Sequence, residues 1–346
     1  MDEKMDTRLA FDYYNELDDT EQIDTILNKS QRKRKFPPRN PKMVPAADKQ
    51  FLHGQDDSAS GFKFTYKAAR FEEWWLLDSL GDFYEHKWIS DVLKRVKGGK
   101  EASVYLCLPG AEVPTELIAA KVYRPRSLRN LKNDHLYRAG RVDLDNEGRQ
   151  ILNHGMAHAM EKKTEYGREL LHQSWIAYEY TSLERLFAAG ADVPQPFTMA
   201  HNAILMSFVG DGDGCAPTLN EISLDKQEAT QLFDRVLKNI DILLSRGMIH
   251  GDLSAYNILY WEGNITLIDF PQVVAPQKNK NALAIFQRDV ARICDYFSKQ
   301  GVRANSRKIA TEIWESRGYA MRDELDVRLL DADDPKDIAL WNAQTK

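Results

Sequence analysis

Cysteine is scarce: Cys107, Cys215 and Cys294 are odd in number and far apart along 346 residues. That excludes a disulfide framework, offers no zinc pair, and fits reduced thiols in a cytosolic compartment. Long apolar runs are missing too. Nothing approaches the roughly 20 residues that cross a bilayer, and the N-terminus is acidic rather than basic leading into an apolar stretch, so the expectation is a cytoplasmic protein with no membrane segment. Neither sign of charge dominates, since 47 Lys+Arg against 52 Asp+Glu leaves a formal net charge of -5. A purely electrostatic nucleic-acid binder is thereby disfavoured, while local basic patches remain. No internal repeat, Walker A sequence or G-x-G-x-x-G loop occurs. What is present, 43% hydrophobic residues over this length, suffices for two buried cores with tails.

The patterning suggests a bilobal α+β chain. Residues 1–50 read as a disordered tail, acidic to about residue 30 and then basic and proline-punctuated from Gln31 to Lys42. That basic linker is either solvated or a contact to RNA or another polyanion. Residues 51–87 read as an N-terminal helical extension, with Trp74, Trp75, Leu77 and Leu80 as its buried stripe. A first lobe is expected over 88–208, where Val92–Val96, Ala102–Leu108 and Leu117–Tyr123 form a small antiparallel sheet. The stretch from Arg124 to about residue 165 is polar, arginine-rich and long for a connection, which signals a functional loop. A helix over Leu170–Ala189 and strands ending at Ile204–Val209 follow. The second lobe, 209–320, is mostly helical. Its long helix buries Leu232, Phe233, Val236, Leu237, Ile240, Leu243 and Leu244, and two further helices span Ala282–Lys299 and Arg307–Arg317. Residues 321–346 read as a C-terminal tail.

Chemistry concentrates in Ile249–Asn257, I-H-G-D-L-S-A-Y-N, and the hairpin after it. Strands Asn257–Trp261 and Ile265–Asp269 around Glu262-Gly263-Asn264 would bring Asn257 and Asp269 to one end. An amide oxygen and a carboxylate there suit Mg²⁺, which prefers hard oxygen ligands and keeps room for phosphate and water. Asp252, on the preceding loop, would accept or orient the proton of an attacking hydroxyl. His250 would brace that loop. These three oxygen-bearing side chains are what phosphoryl transfer from a Mg-nucleotide requires.

Upstream, Gly98, Gly99, Lys100, Glu101 and Ser103 lie in or beside a strand-to-strand turn whose glycines would admit phosphate oxygens to the backbone; a plain hairpin turn favours glycine as well. Lys121 sits in an apolar strand, and Glu179 interrupts the four-residue stripe Leu171, Trp175, Leu183, Phe187 on a helix. A buried ion pair between them would position Lys121 on nucleotide phosphates. His154 and His158 stand one helical turn apart but lack the glutamate of a zincin motif.

Together G-K-E-A-S-V-Y, A-A-K-V-Y, M-S-F-V-G, H-G-D-L-S-x-x-N and L-I-D-F-P-Q resemble the RIO family of atypical serine/threonine protein kinases, over roughly residues 88 to 300. The resemblance implies a protein-kinase-like fold, ATP and Mg²⁺ as cofactors, and a protein substrate, the chain itself included. It implies that Lys121 contacts the phosphates and pairs with Glu179, that Met206, Ser207, Phe208 and Val209 form the hinge for adenine, and that the glycine turn covers the nucleotide. Asp252 would be the catalytic aspartate, with Asn257 and Asp269 on Mg²⁺. In some family members the metal-binding aspartate is itself phosphorylated, so an ATPase cycle at Asp269 is a further implication. Archaeal and eukaryotic members act in small ribosomal subunit maturation, which makes RNA or a ribosomal particle a partner for the basic linker and for Arg124, Arg126, Arg129, Lys132, Arg138 and Arg141.

Departures from ordinary protein kinases have physical content. Gly251 replaces the arginine of H-R-D, removing a cation that would receive an activation-loop phosphate. Pro271 replaces the glycine after Asp269-Phe270 and restricts that segment, and no A-P-E sequence follows. Two other readings stand beside this one. Small-molecule kinases resembling aminoglycoside or choline phosphotransferases share H-G-D-L-x-x-x-N and I-D, but G-K-E-A-S-V-Y and I-D-F-P-Q favour the RIO pattern. A nucleotide-gated RNA- or ribosome-binding module is the third.

Overall fold

The computed structural model describes residues 61–320, except 100, 112, 125–142, 146–147 and 163. The expected tails, the basic linker and most of the arginine-rich loop therefore lie outside the described residues. Helix α1 (Arg70–Glu85) leads into strands β1 (Ile89–Gly98), β2 (Ala102–Pro109) and β3 (Ile118–Tyr123), then helices α2 (His154–Glu161) and α3 (Glu165–Ala188). Strands β4 (Pro196–Met199) and β5 (Ala203–Ser207) complete an antiparallel sheet of order β1-β2-β3-β5-β4. The second lobe carries α4 (Lys226–Ser245), the hairpin β6 (Ile258–Trp261) and β7 (Asn264–Leu267), α5 (Ala282–Lys299) and α6 (Ser306–Ser316).

Strand alternation gives the first sheet two apolar faces. On one, Tyr105, Cys107, Ile118, Ala120, Val122, Ala203 and Leu205 pack against Trp75, Leu76, Leu80 and Phe83 of α1. On the other, Tyr123 and Ile204 meet Trp175 and Ile176 of α3. The separation expected at residue 88 thus divides elements that share one core, because α1 closes the outer face of the sheet. The α1 stripe shifts accordingly: Leu76 and Phe83 are buried, whereas Trp74, assigned to it from the pattern, is 40% exposed.

Two further expectations change. The stretch before α3 contains α2, capped by Asn153, whose Oδ1 accepts from Gly155 N (2.8 Å) and Met156 N (3.2 Å), so not all of it is loop. In α3, begun by Thr164 accepting from Gly167 N (3.0 Å), Trp175, Glu179 and Leu183 are buried, but Phe187 is 43% exposed and Leu171 only partly buried. The stripe rotates because a 3.6-residue turn drifts against four-residue steps.

The second core gathers the apolar face of α4 with Ile258, Ile265, Leu267, Phe270, Phe286, Val290, Ile293 and Phe297. Asp225 caps α4 by accepting from Glu228 N at 2.9 Å. The hairpin turn is two residues rather than three, since Trp261 pairs with Asn264 and Glu262 and Gly263 both take positive φ (49° and 77°). Among the described residues no helix is long and apolar enough to cross a membrane, and all three cysteines are free.

Candidate active site

Lys121 spans the two lobes. Its Nζ donates to Glu179 Oε1 of α3 at 2.5 Å and to Asp269 Oδ1, after the hairpin, at 2.7 Å. Glu179 is 3% exposed, and its second oxygen accepts from the hydroxyl of buried Tyr123 at 2.7 Å. Burial works against the charged amine of Lys121, but the carboxylates of Asp269 and Glu179 outweigh it and raise its pKa. Asp269 keeps 47% of its side chain open to solvent; partial desolvation in the cleft opposes its ionisation, and Lys121, aided by His250 and Lys97, still holds the carboxyl below the usual range.

The loop bearing Asp252 is fastened from three sides. His250 Nε2 donates to Ile268 O (3.1 Å) while its Nδ1 accepts from Asp252 N (3.3 Å), one consistent tautomer. Ile249 and Val274 exchange both backbone bonds (2.9 and 2.8 Å). From α5, Asp289 accepts from Gly251 N (2.9 Å), Arg288 donates to Gly251 O, and Arg292 Nη1 donates to Asp252 Oδ1 (2.7 Å). Burial, only partly opposed by His250, Arg288 and the Gly251 N–H, pushes the Asp289 carboxyl above its ordinary value. Gly251 lacks the side-chain cation of H-R-D, so guanidinium groups reach this loop from α5 instead.

Asn257 sits in a turn of 3-10 helix (Ala255–Asn257) rather than in a strand. Its Nδ2 donates to Asp252 O (2.8 Å), leaving Oδ1 as the acceptor of that side chain. The backbone bond from Ile268 N to Asn257 O (3.0 Å) brings it beside Asp269, whose φ of 70° is left-handed and rare for a non-glycine residue. Phe270 is 2% exposed and its ring lies 4.9 Å from that of His250, so burial as well as Pro271 holds the segment. Among the described residues no group of three or more His, Cys, Asp or Glu side chains is suited to a metal. One carboxylate and one amide oxygen still fit Mg²⁺, which retains waters and takes phosphate oxygens.

The remaining candidates divide. Gly98 pairs with Ser103 at the end of the β1–β2 ladder and Gly99 N donates to Ala102 O (2.9 Å); Glu101 O accepts from Arg124 N (2.8 Å). Lys100 lies outside the described residues. Ser103 is a correction: it pairs with Val122 on the α1 face and is 2% exposed, so its side chain projects away from Lys121. Val104, opposite Lys121, faces the cleft in its place. Met206 and Ser207 end β5, and Phe208 and Val209 lead out of the sheet toward the second lobe. His154 and His158 stay exposed on α2. Sequence reasoning missed Tyr123, Arg288, Asp289 and Arg292. Asp289 carried a readable signal, a carboxylate between apolar Phe286, Val290 and Ile293 on one helix.

A family model described as "RIO domain" matches residues 131–309. The RIO-type serine/threonine-protein kinase Rio1 of Haloferax volcanii is 27% identical over 212 residues, which cover 61% of this chain and 64% of that protein. The serine/threonine-protein kinase rio1 of Schizosaccharomyces pombe is 29% identical over 213 residues (61% and 39%), and human RIO1 26% over 215 residues (62% and 34%). Each match spans less than two thirds of the relative's length. Among solved structures, the Rio2 kinase from Chaetomium thermophilum aligns with a TM-score of 0.42 at 20% identity, over 78% of this chain and 77% of that one.

Proposed function

The chain belongs to the RIO domain family, and on that premise we propose that it is an ATP- and Mg²⁺-dependent serine/threonine protein kinase, transferring the γ-phosphate to a protein hydroxyl, its own included. The observation that carries this reading is the contact of Lys121 with both Glu179 and Asp269, 2.5 and 2.7 Å away. It joins an amine of the first lobe to the oxygen donors of the second.

In this mechanism Lys121, held by Glu179, receives the phosphates beneath the turn at Gly98 and Gly99, and Met206–Val209 hold adenine. Asp252 orients the attacking hydroxyl and takes its proton. Arg292 donates to Oδ1 of Asp252 at 2.7 Å and the Asn257 amide reaches Oδ2 only at 3.4 Å, a long contact that a substrate hydroxyl would replace. Asn257 and Asp269 would hold Mg²⁺, which when bound neutralises charge on the phosphates. If Asp269 itself takes the phosphoryl group and water then releases it, the same site performs the ATPase cycle. The three free thiols suit a cytoplasmic location. An RNA or ribosomal partner rests on the basic linker and the loop after Tyr123, which lie almost wholly outside the described residues.

The test is incubation of the purified chain with labelled ATP, a generic protein and a panel of small alcohols. Label on protein is expected. Label on alcohols alone would move the chain to the small-molecule kinases, and nucleotide-dependent RNA binding without transfer would favour the gated module. Asp252→Ala should lower transfer by about 10²-fold or more with ATP binding retained; unchanged turnover would remove Asp252 from the chemistry.

A further inference from the structure

Three lysines stand on the cleft face of the first sheet, and two have partners. Lys121 is bound to Glu179 and Asp269, while Lys94 Nζ donates to the carbonyls of Gly212 (3.0 Å) and Asp213 (2.9 Å) below it. Lys97, exposed near the end of β1, makes no hydrogen bond or ion pair among the described residues. Its direction follows from register. Lys97 is paired with Val104 and Val104 with Lys121, so the three side chains form one row on one face. Arg95, paired with Tyr105, points the other way and meets Glu72 at 3.6 Å.

Two strand spacings separate the backbones of Lys97 and Lys121 by about 10 Å, a gap that a phosphate chain held between two flexible amines would fill. Lys97 also lies close enough to Cys215 and Glu221, beyond the sheet, to favour the ionised form of each. Among the described residues it forms an ion pair with neither Asp269 nor Glu221. Asp269 is bound by Lys121, and Glu221 Oε2 accepts from Thr218 N (2.6 Å) and Oγ1 (2.9 Å).

We propose that Lys97 is a further nucleotide-binding residue: its alkyl stem lies along Val104 and its ammonium contacts the phosphate chain of a nucleoside triphosphate from the β1 side, opposite Lys121. The assignment rests on the nucleotide-dependent reading given above. It predicts selectivity by charge, so that ATP and ADP gain from Lys97 and uncharged adenosine does not.

Calorimetric titration of the full chain with ATP, ADP and adenosine tests it. Lys97→Met keeps most of the stem and removes the charge. It should weaken ATP and ADP binding by about tenfold, the scale of one partly screened charge-assisted contact, and leave adenosine unchanged. Lys97→Arg should restore the nucleotides, and added salt should erode ATP affinity less in Lys97→Met than in the unaltered chain. Wild-type ATP affinity in Lys97→Met would show a merely solvated lysine and overturn the proposal, as would equal weakening of adenosine, which would mark packing alone. Failure of the unaltered chain to bind ATP would instead defeat the functional reading itself.

Discussion

Glu179→Gln isolates the charge of Glu179 from its volume. The residue is 3% exposed and holds two donors, Lys121 Nζ at 2.5 Å and the Tyr123 hydroxyl at 2.7 Å. Removing one partner of a buried pair costs about 3–5 kcal/mol. Here Lys121 retains Asp269, whose side chain is 47% exposed and therefore more screened, so the loss reduces to about 2 kcal/mol. The amine then leans on Asp269 alone, away from the position that α3 imposes. If the whole loss falls on the transition state, kcat/KM drops about 30-fold. Urea unfolding at constant m-value gives the first quantity and steady-state transfer the second. Tyr123→Phe should cost about 1 kcal/mol and act through the same carboxylate, so the double variant should lose less than the sum of the two. Additive losses, or a Glu179→Gln protein within about 0.5 kcal/mol and twofold in kcat/KM of the original, would refute a positioning role for this chain of contacts.

Gly251 has φ +85° and a Cβ there would lie 2.1 Å from Gln272 O, so Gly251→Ala should destabilise the fold by about 2–3 kcal/mol and depress transfer with it; a variant with unchanged Tm would contradict the close approach. Asp192 is opposed by its own burial but bound by Arg235 (2.8 Å twice) and Asn239 (2.7 Å), and its carboxyl stays below the ordinary value of 3.8. Its stabilisation is therefore present above that value and lost as pH falls through the lower folded pKa. Asp192→Asn should cost about 1–2 kcal/mol near neutrality, shrinking in acid, and a pH-independent difference in denaturation midpoints would show the ion pair to be idle.

Local signals made much of this legible. The apolar periods of α4 and α5, and the three first strands, emerge from side-chain spacing because a one-sided burial pattern is written into each element. Lys121 and Glu179 were conspicuous for the same reason, each a charge in an apolar stripe. Trp74 and Phe187 were misplaced because periodicity gives the width of a stripe but not which neighbour covers it. Ser103 was assigned to the cleft from its proximity to the glycine turn, whereas pleat alternation sends it to the α1 face.

The residue order by itself determined which groups are available: an amine, a carboxylate partner, and an aspartate, an asparagine and a second aspartate at fixed separations. Those separations are local, and so are the turns and strands that express them. Only the tertiary structure decided that α1 completes the first core, that Tyr123 takes Oε2 of Glu179 and Arg292 takes Oδ1 of Asp252, and that Lys97 shares a row with Lys121. Such contacts join residues distant along the chain, 24 positions for Lys97 and Lys121, 40 for Asp252 and Arg292 and 56 for Tyr123 and Glu179, where burial and ladder register, not neighbouring sequence, select the partner.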